Sequence, residues 1–517
     1  MIVACGRRIP DDDRVAGSKS GKAEAAETSH CGEDGELSVN SPTGLGVAEQ
    51  TGTRNDLLWK IFVAALIIRW TYSIVIFLTM GENGLKGVDS YFYVASASNF
   101  AALMAKGSVH GWQWFGVEPV IMPLMTWLLT LNILLFGPFA PLSYVLMQGV
   151  LDSGTCLLIY GIARAIDPRF ALPATLVACI NPTQIILAAI VFTDTPFVFF
   201  IALYLFAAVR WLRRPSWTST IWLGTALCAA SMIRVLIAPW IPALALFLLA
   251  SAVLIHRFQI RHFVQILAMI AIAGAGIAAL TWRNASQYDH WALTPQTGYH
   301  MIGWIAPLVK EARDGTPWAD TYEELQERKR TRFGAASENP FVESQRNDAI
   351  AREELKNLGM AAIVKAWMRG VAINLVSPAI ILSPPVSQLP RTGFFATAGR
   401  SFFEKVENFL FNSDNALYAW ILQAGILGLM IMRGIQLVGF VRILRNKTNL
   451  AIVLLFIGWI AFILAVNGPI ASPKYRLPLE PVFAVIAGAG LHVLQQRRRR
   501  KIATNDERRA KLARVPE

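Results

Sequence analysis

The feature that most constrains this chain is the recurrence of apolar stretches long enough to cross a lipid bilayer. A transmembrane helix needs about 20 mostly apolar residues. Clear stretches of this kind are 57–79, 171–190, 195–211, 219–236, 238–255, 263–281, 416–437, 449–467 and 475–494, and less clear ones are 118–136, 141–163 and 361–383. Only 16% of the residues are charged, whereas a soluble protein carries about 25%. The sequence therefore predicts an all-α polytopic membrane protein.

The two ends of the chain differ from the part between them. Residues 1–55 are rich in Gly, Ser, Ala, Asp and Glu and contain few large apolar residues, so we expect a disordered leader without the apolar core of a signal peptide. Residues 56–494 hold the predicted membrane domain. The tail 495–517 has nine basic and three acidic residues, about half of the net charge of +13. Nucleic-acid binding is one interpretation of this tail, but a basic segment directly after a span is typical of the cytoplasmic side, where it can also contact anionic lipids.

The connections between the stretches are of two kinds, and these predict a topology. Short basic connections follow residues 163, 209, 255 and 441, and we expect them in the cytoplasm. Long connections of mixed charge, 80–117 and 282–415, are expected outside. The two kinds alternate only if 118–163 makes one net crossing and if 361–383 lies on the outer face as an amphipathic helix. About ten net crossings then place both termini in the cytoplasm of a multi-pass inner (plasma) membrane protein.

This topology brings a small set of polar residues to the outer membrane face. They are Asp89, Glu118, Asp194, Arg234, Lys474, Tyr475 and Arg476. Structural roles are open for most of them: Asp194 suits a helix N-cap, Arg234 can pair with a carboxylate that holds spans together, and Lys474 and Arg476 can reach the interface from a span. Asp89 can be a solvated loop residue.

Carboxylates and cations at one membrane depth suit a site for a lipid phosphate. The cations would hold the phosphate, while a carboxylate deprotonates an acceptor hydroxyl or helps to bind a metal. The sequence offers no ligand cluster specific enough to assign a metal, so a divalent metal is left open and no cofactor is assigned.

The order of these motifs resembles a known family. An outer loop with Asp followed by aromatic residues (Asp89 to Tyr93) precedes the Glu118-Pro119 motif, a Thr-Asp motif at Asp194 and the segment KYRLPLEP that opens the last span. Together they resemble the polytopic glycosyltransferases of the GT-C fold, nearest the PMT and aminoarabinose-transferase-like branch, over residues 57–494. The resemblance implies a GT-C-like bundle of about 10–12 transmembrane helices with long extracytoplasmic loops.

The resemblance also implies roles for the residues that match the family's motifs. Asp89 matches the acidic residue of the first outer loop, which acts as catalytic base or organises the acceptor site, and Asp194 matches the Thr-Asp position. Arg476 matches the late Arg expected to bind the donor phosphate, next to Lys474 and Tyr475. Glu118 is a further candidate, although relatives tend to have Arg-Pro-Pro or Lys-Pro-Pro there.

The implied reaction is transfer of a hexosyl or pentosyl group from a polyprenyl-phosphate sugar to a lipid, glycan or protein acceptor, with inversion. Arg476 and Arg234 would stabilise the charge that develops on the lipid phosphate. A lipid-linked-sugar flippase or transporter is an alternative, but it predicts repeated halves and mid-bilayer charges, whereas the sequence has no internal repeat. A non-catalytic protein of envelope assembly is a third hypothesis, favoured if Asp89 and Asp194 prove dispensable.

Overall fold

In a computed structural model, the chain is described over residues 45–116, 118–390, 392–394, 397–399 and 401–512. These residues contain α-helices and short 3-10 turns and no β-strand. The predicted leader lies outside the described residues as far as position 44. From Asn55 onward the chain forms one compact unit.

The helices of the first half alternate between long spans and shorter connecting elements. They are α1 (Leu45–Met80), α2 (Ser90–Ala105), α3 (Pro123–Phe136), α4 (Ala140–Ile166), α5 (Pro168–Cys179), α6 (Pro182–Ala188), α7 (Asp194–Arg213), α8 (Trp217–Ser231), α9 (Trp240–Leu254) and α10 (Ile260–Tyr288).

The second half begins with a run of shorter helices and ends with three long ones. They are α11 (Gln296–His300), α12 (Ala306–Asp314), α13 (Trp318–Phe333), α14 (Pro340–Leu358), α15 (Met360–Val376), α16 (Pro384–Ser387), α17 (Phe402–Phe411), α18 (Ala416–Leu444), α19 (Leu450–Asn467), α20 (Pro473–Arg476) and α21 (Glu480–Leu512). A π-helical turn, Met301–Ile305, joins α11 to α12.

The prediction of an all-α polytopic membrane protein is confirmed. In the described part of the chain, eight helical segments are long and apolar enough to cross a membrane, and the number rises to ten if each of two bent helix pairs is one span. The predicted number of spans is 10–12, and the structure reaches the lower bound only if both bent pairs count as spans. One of them is α5 with α6, bent by 47° where Asn181 caps α6 and Pro182 begins it.

Two predicted spans take a different form in the structure. The stretch 219–236 is only partly helical, because α8 ends at Ser231 after 15 residues, about 22 Å of rise. Its last residues form an irregular connection that carries Arg234. The region 123–166 counts as one candidate span by length and composition, with the short α3 preceding the longer α4, and its single net crossing remains a prediction.

The stretch 361–383 contains α15, which meets α14 at an angle of 103°. Ala362, Ala366 and Gly370 are buried on one face of α15, whereas Val364 and Met368 on another face are exposed. This one-sided burial at four-residue spacing is typical of an amphipathic helix. Its position on the outer membrane face remains a prediction.

The core is built around α7 and α21, the two spans with the largest buried share. Apolar residues of α4, α5, α8, α9, α10 and α19 pack with them in one continuous cluster. The helix α18 lies against α21, where Gly439 and Gly490 allow backbone contact. A Cβ at Gly439 would be 1.8 Å from the Ile486 oxygen, and a Cβ at Gly490 would be 2.1 Å from the Ile435 oxygen. This close packing suits helices that associate in lipid.

A buried ion pair joins α1 to α4. The Arg69 Nε lies 2.5 Å from Asp152 Oδ2, and the side chains are 0% and 2% exposed. Gln184 donates a hydrogen bond to the other Asp152 oxygen, and Arg69 also donates to the Cys179 and Ala178 oxygens. The network therefore holds α1, α4, α5 and α6 together. The sequence contained the signal for it, a charge inside each of the apolar stretches 57–79 and 141–163, but the prediction did not use it.

Candidate active site

The first element of the site is the start of α2, which carries Asp89 as its N-cap residue. The Ser90 hydroxyl donates a hydrogen bond of 2.7 Å to the Val191 oxygen, and the Val191 amide donates one of 2.9 Å to the Leu85 oxygen. Gly87 lies against the Phe192 ring, where a Cβ would be 2.4 Å from the ring edge. These contacts join the connection before α2 to the connection before α7.

The second element is the start of α7. Thr193 is the N-cap of this helix and Asp194 is its first residue, so the predicted N-cap role of Asp194 falls on the preceding residue. The Asp194 carboxylate instead accepts a hydrogen bond of 2.7 Å from Arg234, and the two side chains are 3% and 18% exposed. The sequence left open that Arg234 pairs with a carboxylate, and in the structure that carboxylate belongs to Asp194. The guanidinium also lies over the Phe197 ring, 5.8 Å from its centroid.

Arg234 reaches Asp194 because the chain leaves the helical path at the end of α8. The backbone of Arg234 is extended, with φ −143° and ψ 124°, before a 3-10 turn over Val235–Ile237. The Met232 oxygen accepts a hydrogen bond of 3.0 Å from the Leu124 amide at the start of α3. The break in the helix therefore turns a basic residue toward a carboxylate at the end of the bundle.

The third element is α20, which brings Lys474 to Asp89. The Lys474 Nζ lies 2.6 Å from Asp89 Oδ2, with exposed fractions of 18% and 41%. The ammonium group also lies 5.2 Å from the centroid of the Phe192 ring and 5.3 Å from that of Tyr475. The predicted residues Asp89, Lys474 and Tyr475 are thus together, and the Phe192 ring lies against Lys474.

Tyr93 lies within electrostatic range of both ion pairs. Burial raises the pKa of the Tyr93 hydroxyl. The cations Arg234 and Lys474 lower this pKa, and the carboxylates Asp89 and Asp194 raise it. The net effect raises the pKa of Tyr93 and favours its neutral form. We use the name paired-charge site for Asp89, Tyr93, Asp194, Arg234 and Lys474.

Arg476 lies apart from the paired-charge site. It is 1% exposed and donates 2.9 Å hydrogen bonds to Glu480 Oε1 and to the Asn374 oxygen, with further bonds to the Ser377 oxygen and Thr183 Oγ1. The side chain is thus enclosed by α6, α15 and α21, and it supports α20 from within the protein. The phosphate contact that the resemblance implies for Arg476 stays a prediction, and these partners do not favour it.

Glu118, like Arg476, is not a member of the paired-charge site. It is exposed and forms no ion pair with another described residue. Side chains from later parts of the chain bond to the backbone around Glu118. Thr294 donates a hydrogen bond to the Pro119 oxygen, Gln296 to the Val120 oxygen and Arg283 to the Gly116 oxygen. A substrate contact for Glu118 remains a prediction.

The prediction missed His300, which stands at the end of α11 just before the π-helical turn. His300 is accessible to solvent, yet the surrounding protein and the cations Arg234 and Lys474 lower its pKa, while Asp89 raises it. His300 therefore lies within electrostatic range of Arg234, Lys474 and Asp89. No spacing in the sequence distinguishes this histidine, but a π-helical turn is frequently found at functional sites.

An apolar groove of about 660 Å³ runs along α8 between α3 and α10. Leu124, Cys228, Met232 and Ile272 are among the residues that line it. Met232, at one end of the groove, is two residues from Arg234 along the chain. The groove can hold an apolar chain whose charged end lies beside a cation.

The described residues contain no group of three or more His, Cys, Asp or Glu side chains that could hold a metal ion. The Asp89 and Asp194 carboxylates each have a cationic partner instead. These residues do not form a ligand set for a metal, and we derive no reaction step through one.

Two solved structures are similar to this chain: ArnT from Cupriavidus metallidurans in the apo state, with 16% identity, a TM-score of 0.34 and coverage of 86% of this chain and 78% of that chain; and the same protein bound to undecaprenyl phosphate, with 14% identity, a TM-score of 0.35 and coverage of 83% and 77%. We infer no activity or ligand from these likenesses. No curated protein matches the chain.

A family model matches the part of the chain that contains Glu118, Asp194 and Arg234. Residues 118–279 match the family described as dolichyl-phosphate-mannose-protein mannosyltransferase. This segment runs from the motif before α3 into α10 and includes the break after α8. Over residues 118–279 the chain is therefore similar to the dolichyl-phosphate-mannose-protein mannosyltransferases, which confirms the resemblance drawn from its sequence motifs.

Proposed function

We propose that this protein is an integral membrane glycosyltransferase that moves a sugar from a polyprenyl-phosphate donor to a lipid, glycan or protein acceptor. The observation that carries the proposal is the paired-charge site. Two Asp–cation pairs lie around one tyrosine at the end of a membrane bundle, beside an apolar groove. The family match over residues 118–279 supports the same class of reaction.

Arg234 and Lys474 are the groups that would bind the donor phosphate. Each is 18% exposed and neutralised by one carboxylate in the ligand-free protein. A phosphate with two anionic oxygens can replace a carboxylate as the partner of a cation, since charge-assisted bonds to phosphate and carboxylate have similar strength. The polyprenyl chain would lie in the apolar groove, with its first units near Met232.

Donor binding would then release a carboxylate for catalysis. When the phosphate takes Lys474 as its partner, the Asp89 carboxylate is released from its ion pair and can accept a proton from the acceptor. Asp89 is 41% exposed, so an acceptor can approach it, whereas Asp194 is 3% exposed. Asp89 is therefore the better catalytic base, and Asp194 the residue that positions Arg234.

The transfer follows from this arrangement. The acceptor oxygen or nitrogen attacks the anomeric carbon and loses its proton to Asp89. The bond from that carbon to the phosphate oxygen breaks, and its electron pair stays on the phosphate. Arg234 and Lys474 stabilise this developing charge, and attack from the side opposite the phosphate inverts the anomeric configuration.

The same geometry supports a reaction on the outer face of the inner membrane. Asp194 begins α7, and Arg210 and Arg213 lie in its last turn, about 30 Å away along a 20-residue helix. Basic residues mark the cytoplasmic ends of spans, so the paired-charge site lies on the other side. Both termini are then cytoplasmic. A reporter fused at residue 300 tests this topology, and a cytoplasmic signal there would contradict it.

The function is tested by transfer from a polyprenyl-phosphate sugar with the full chain in lipid nanodiscs. We expect Asp89→Asn to lower kcat by a factor of about 100 or more, because it removes the base, while donor binding is retained. The matched control is Glu82→Gln, since Glu82 forms a similar ion pair with Lys86 in the same outer connection and its side chain is 42% exposed. Undiminished turnover of Asp89→Asn would refute the assignment of the base. Transport of the intact lipid-linked sugar without transfer would favour a flippase.

A further inference from the structure

The opposite end of the bundle contains a polar cavity. It has a volume of about 550 Å³ and is lined by the last turn of α7, the connection to α8 and the starts of α8 and α10. Its polar lining consists of Arg210, Arg213, Arg214, Ser216, Thr218 and Arg261. We call it the arginine cavity. The paired-charge site stands at the start of α7 and the arginine cavity at its end, so the two are about one bilayer thickness apart.

The arginine cavity gathers four guanidinium groups without a carboxylate in its lining. Arg213 donates hydrogen bonds to the Thr448 oxygen and to Asn449 Oδ1, and Arg210 lies over the Phe206 ring at 5.5 Å. Within the described part of the chain, neither Arg214 nor Arg261 forms an ion pair with a carboxylate. Like charges held this close repel one another, so binding of an anion would stabilise the arrangement.

A nearby carboxylate does not neutralise the cavity. Asp167 lies in the α4–α5 connection, next to the cavity residue Ala165 along the chain. However, Asp167 accepts two hydrogen bonds from the Arg169 side chain and one from its backbone amide. Its charge is thus already balanced by Arg169, and the arginine cavity keeps a net positive charge.

The start of α8 adds further attraction for an anion. Ser216 caps this 15-residue helix, and Thr218 lies in its first turn on the cavity wall. The N-terminus of a helix carries a partial positive charge, and side-chain hydroxyls can donate to phosphate oxygens. Guanidinium groups, hydroxyls and a helix N-terminus are together a recognition set for phosphate.

The residues beside the cavity indicate a lipid source for this phosphate. Trp217 and Ile260 are exposed and adjoin the cavity residues Thr218 and Arg261 along the chain, and Phe258 nearby is exposed as well. Exposed aromatic and apolar residues beside basic ones are typical of the membrane interface, and basic pockets between spans on the cytoplasmic side bind anionic headgroups. We propose that the arginine cavity binds the phosphate headgroup of an anionic membrane lipid in the inner leaflet, separately from the donor site.

The test is lipid binding to the purified full chain in a neutral detergent. Phosphatidylglycerol, cardiolipin and phosphatidylcholine are titrated in turn, and bound lipid is counted by native mass spectrometry. We expect both anionic lipids to bind at least tenfold more tightly than phosphatidylcholine, and the double variant Arg214→Gln with Arg261→Gln to lose this preference.

The matched control removes two charges at the same end of the bundle but outside the cavity. Arg445 and Lys447 are exposed in the connection whose Thr448 oxygen accepts a hydrogen bond from Arg213. The double variant Arg445→Gln with Lys447→Gln should keep the anionic preference. An equal loss in both double variants would mean general attraction by surface charge and would overturn the proposal.

A soluble anion distinguishes the two sources of phosphate. Inorganic pyrophosphate is added to protein loaded with phosphatidylglycerol. If the site is built for a lipid headgroup, the lipid should stay bound at pyrophosphate concentrations equal to that of the lipid. Displacement at equal concentration would show a site for soluble phosphates and would overturn the lipid assignment.

Discussion

The buried pair of Arg69 and Asp152 offers a test of what holds the membrane bundle together. The change is Asp152→Asn, which keeps the size of the side chain and removes its charge. The amide would then meet the donors of Arg69 and Gln184, which now bond to the two carboxylate oxygens at 2.5 and 2.8 Å. Arg69 would keep its backbone acceptors and the Cys156 sulfur but no anionic partner, and it would remain charged at a position where its side chain is 0% exposed.

The expected loss follows from this burial. Two charges with centres about 4 Å apart attract each other by about 4 kcal/mol at an effective dielectric constant of 20. Removing one partner of a buried pair destabilises proteins by about 3–5 kcal/mol. We therefore expect Asp152→Asn to lower the free energy of unfolding by about 3–5 kcal/mol. Reversible unfolding in mixed micelles with SDS, followed by tryptophan fluorescence, measures it.

A second variant and a surface pair separate this effect from a general loss of charge. The double variant Arg69→Gln with Asp152→Asn should lose less than the sum of the two single variants, because no unpaired charge remains buried. Asp167→Asn breaks a pair whose Arg169 partner is 56% exposed, so it should lower the free energy of unfolding far less than Asp152→Asn does. Equal losses for Asp152→Asn and Asp167→Asn, or additive losses in the double variant, would refute the reasoning.

Three further predictions concern helix packing, pH and the donor. Gly439→Ala should lower the free energy of unfolding by about 3 kcal/mol because its Cβ would meet the Ile486 backbone, whereas Gly434→Ala on the same helix, with no heavy atom within 4 Å, should cost nothing measurable in the same unfolding assay. The pKa of His300 lies below its ordinary value of 6.5, so the unfolded chain takes up a proton there first. The free energy of unfolding should therefore fall as the pH drops from 6.5 through the pKa of His300 in the folded state. In His300→Gln, the free energy of unfolding should depend less on pH over this range. Lys474→Met should raise the KM for the polyprenyl-phosphate donor about tenfold in the nanodisc assay, because the phosphate loses a charge-assisted bond. The control is Lys86→Met in the connection before α2, which should leave the KM unchanged.

The spans could be predicted because apolar length is a local property of the sequence. Breaks inside them could not, and α8 is the clearest case. The run from Cys228 to Trp240 is apolar apart from Ser231 and Arg234 and gives the same hydropathy whether it is one helix or two. The backbone leaves the helical path after Ser231. Arg234, whose buried charge needs a partner, then lies beside Asp194. That partner is fixed by tertiary structure.

The members of the site were partly predictable, because charges are scarce in the apolar part of the chain and each one is costly there. Asp89, Asp194, Arg234 and Lys474 were identified in this way. Their pairing was not, since Lys474 and Asp89 are 385 positions apart. Tyr93 and His300 were missed because a tyrosine or histidine at an interface has no pattern of its own. Arg476 was predicted from its motif, but its neighbours Glu480 and Thr183 enclose it.

The difference between the two aspartates depends on burial, which the sequence does not show for either. Both stand at the start of a helix, and both pair with a cation at 2.6 or 2.7 Å. Asp194 is 3% exposed, so the incoming sugar acceptor cannot reach its carboxylate to transfer a proton. The charge of Asp194 instead holds Arg234 in place. Asp89 is 41% exposed and its partner Lys474 is a flexible side chain that a phosphate can recruit. If the site works in this order, Asp89→Asn and Asp194→Asn differ in kind: the first should lower kcat with donor binding intact, and the second should weaken donor binding as well, because Arg234 loses the group that positions it.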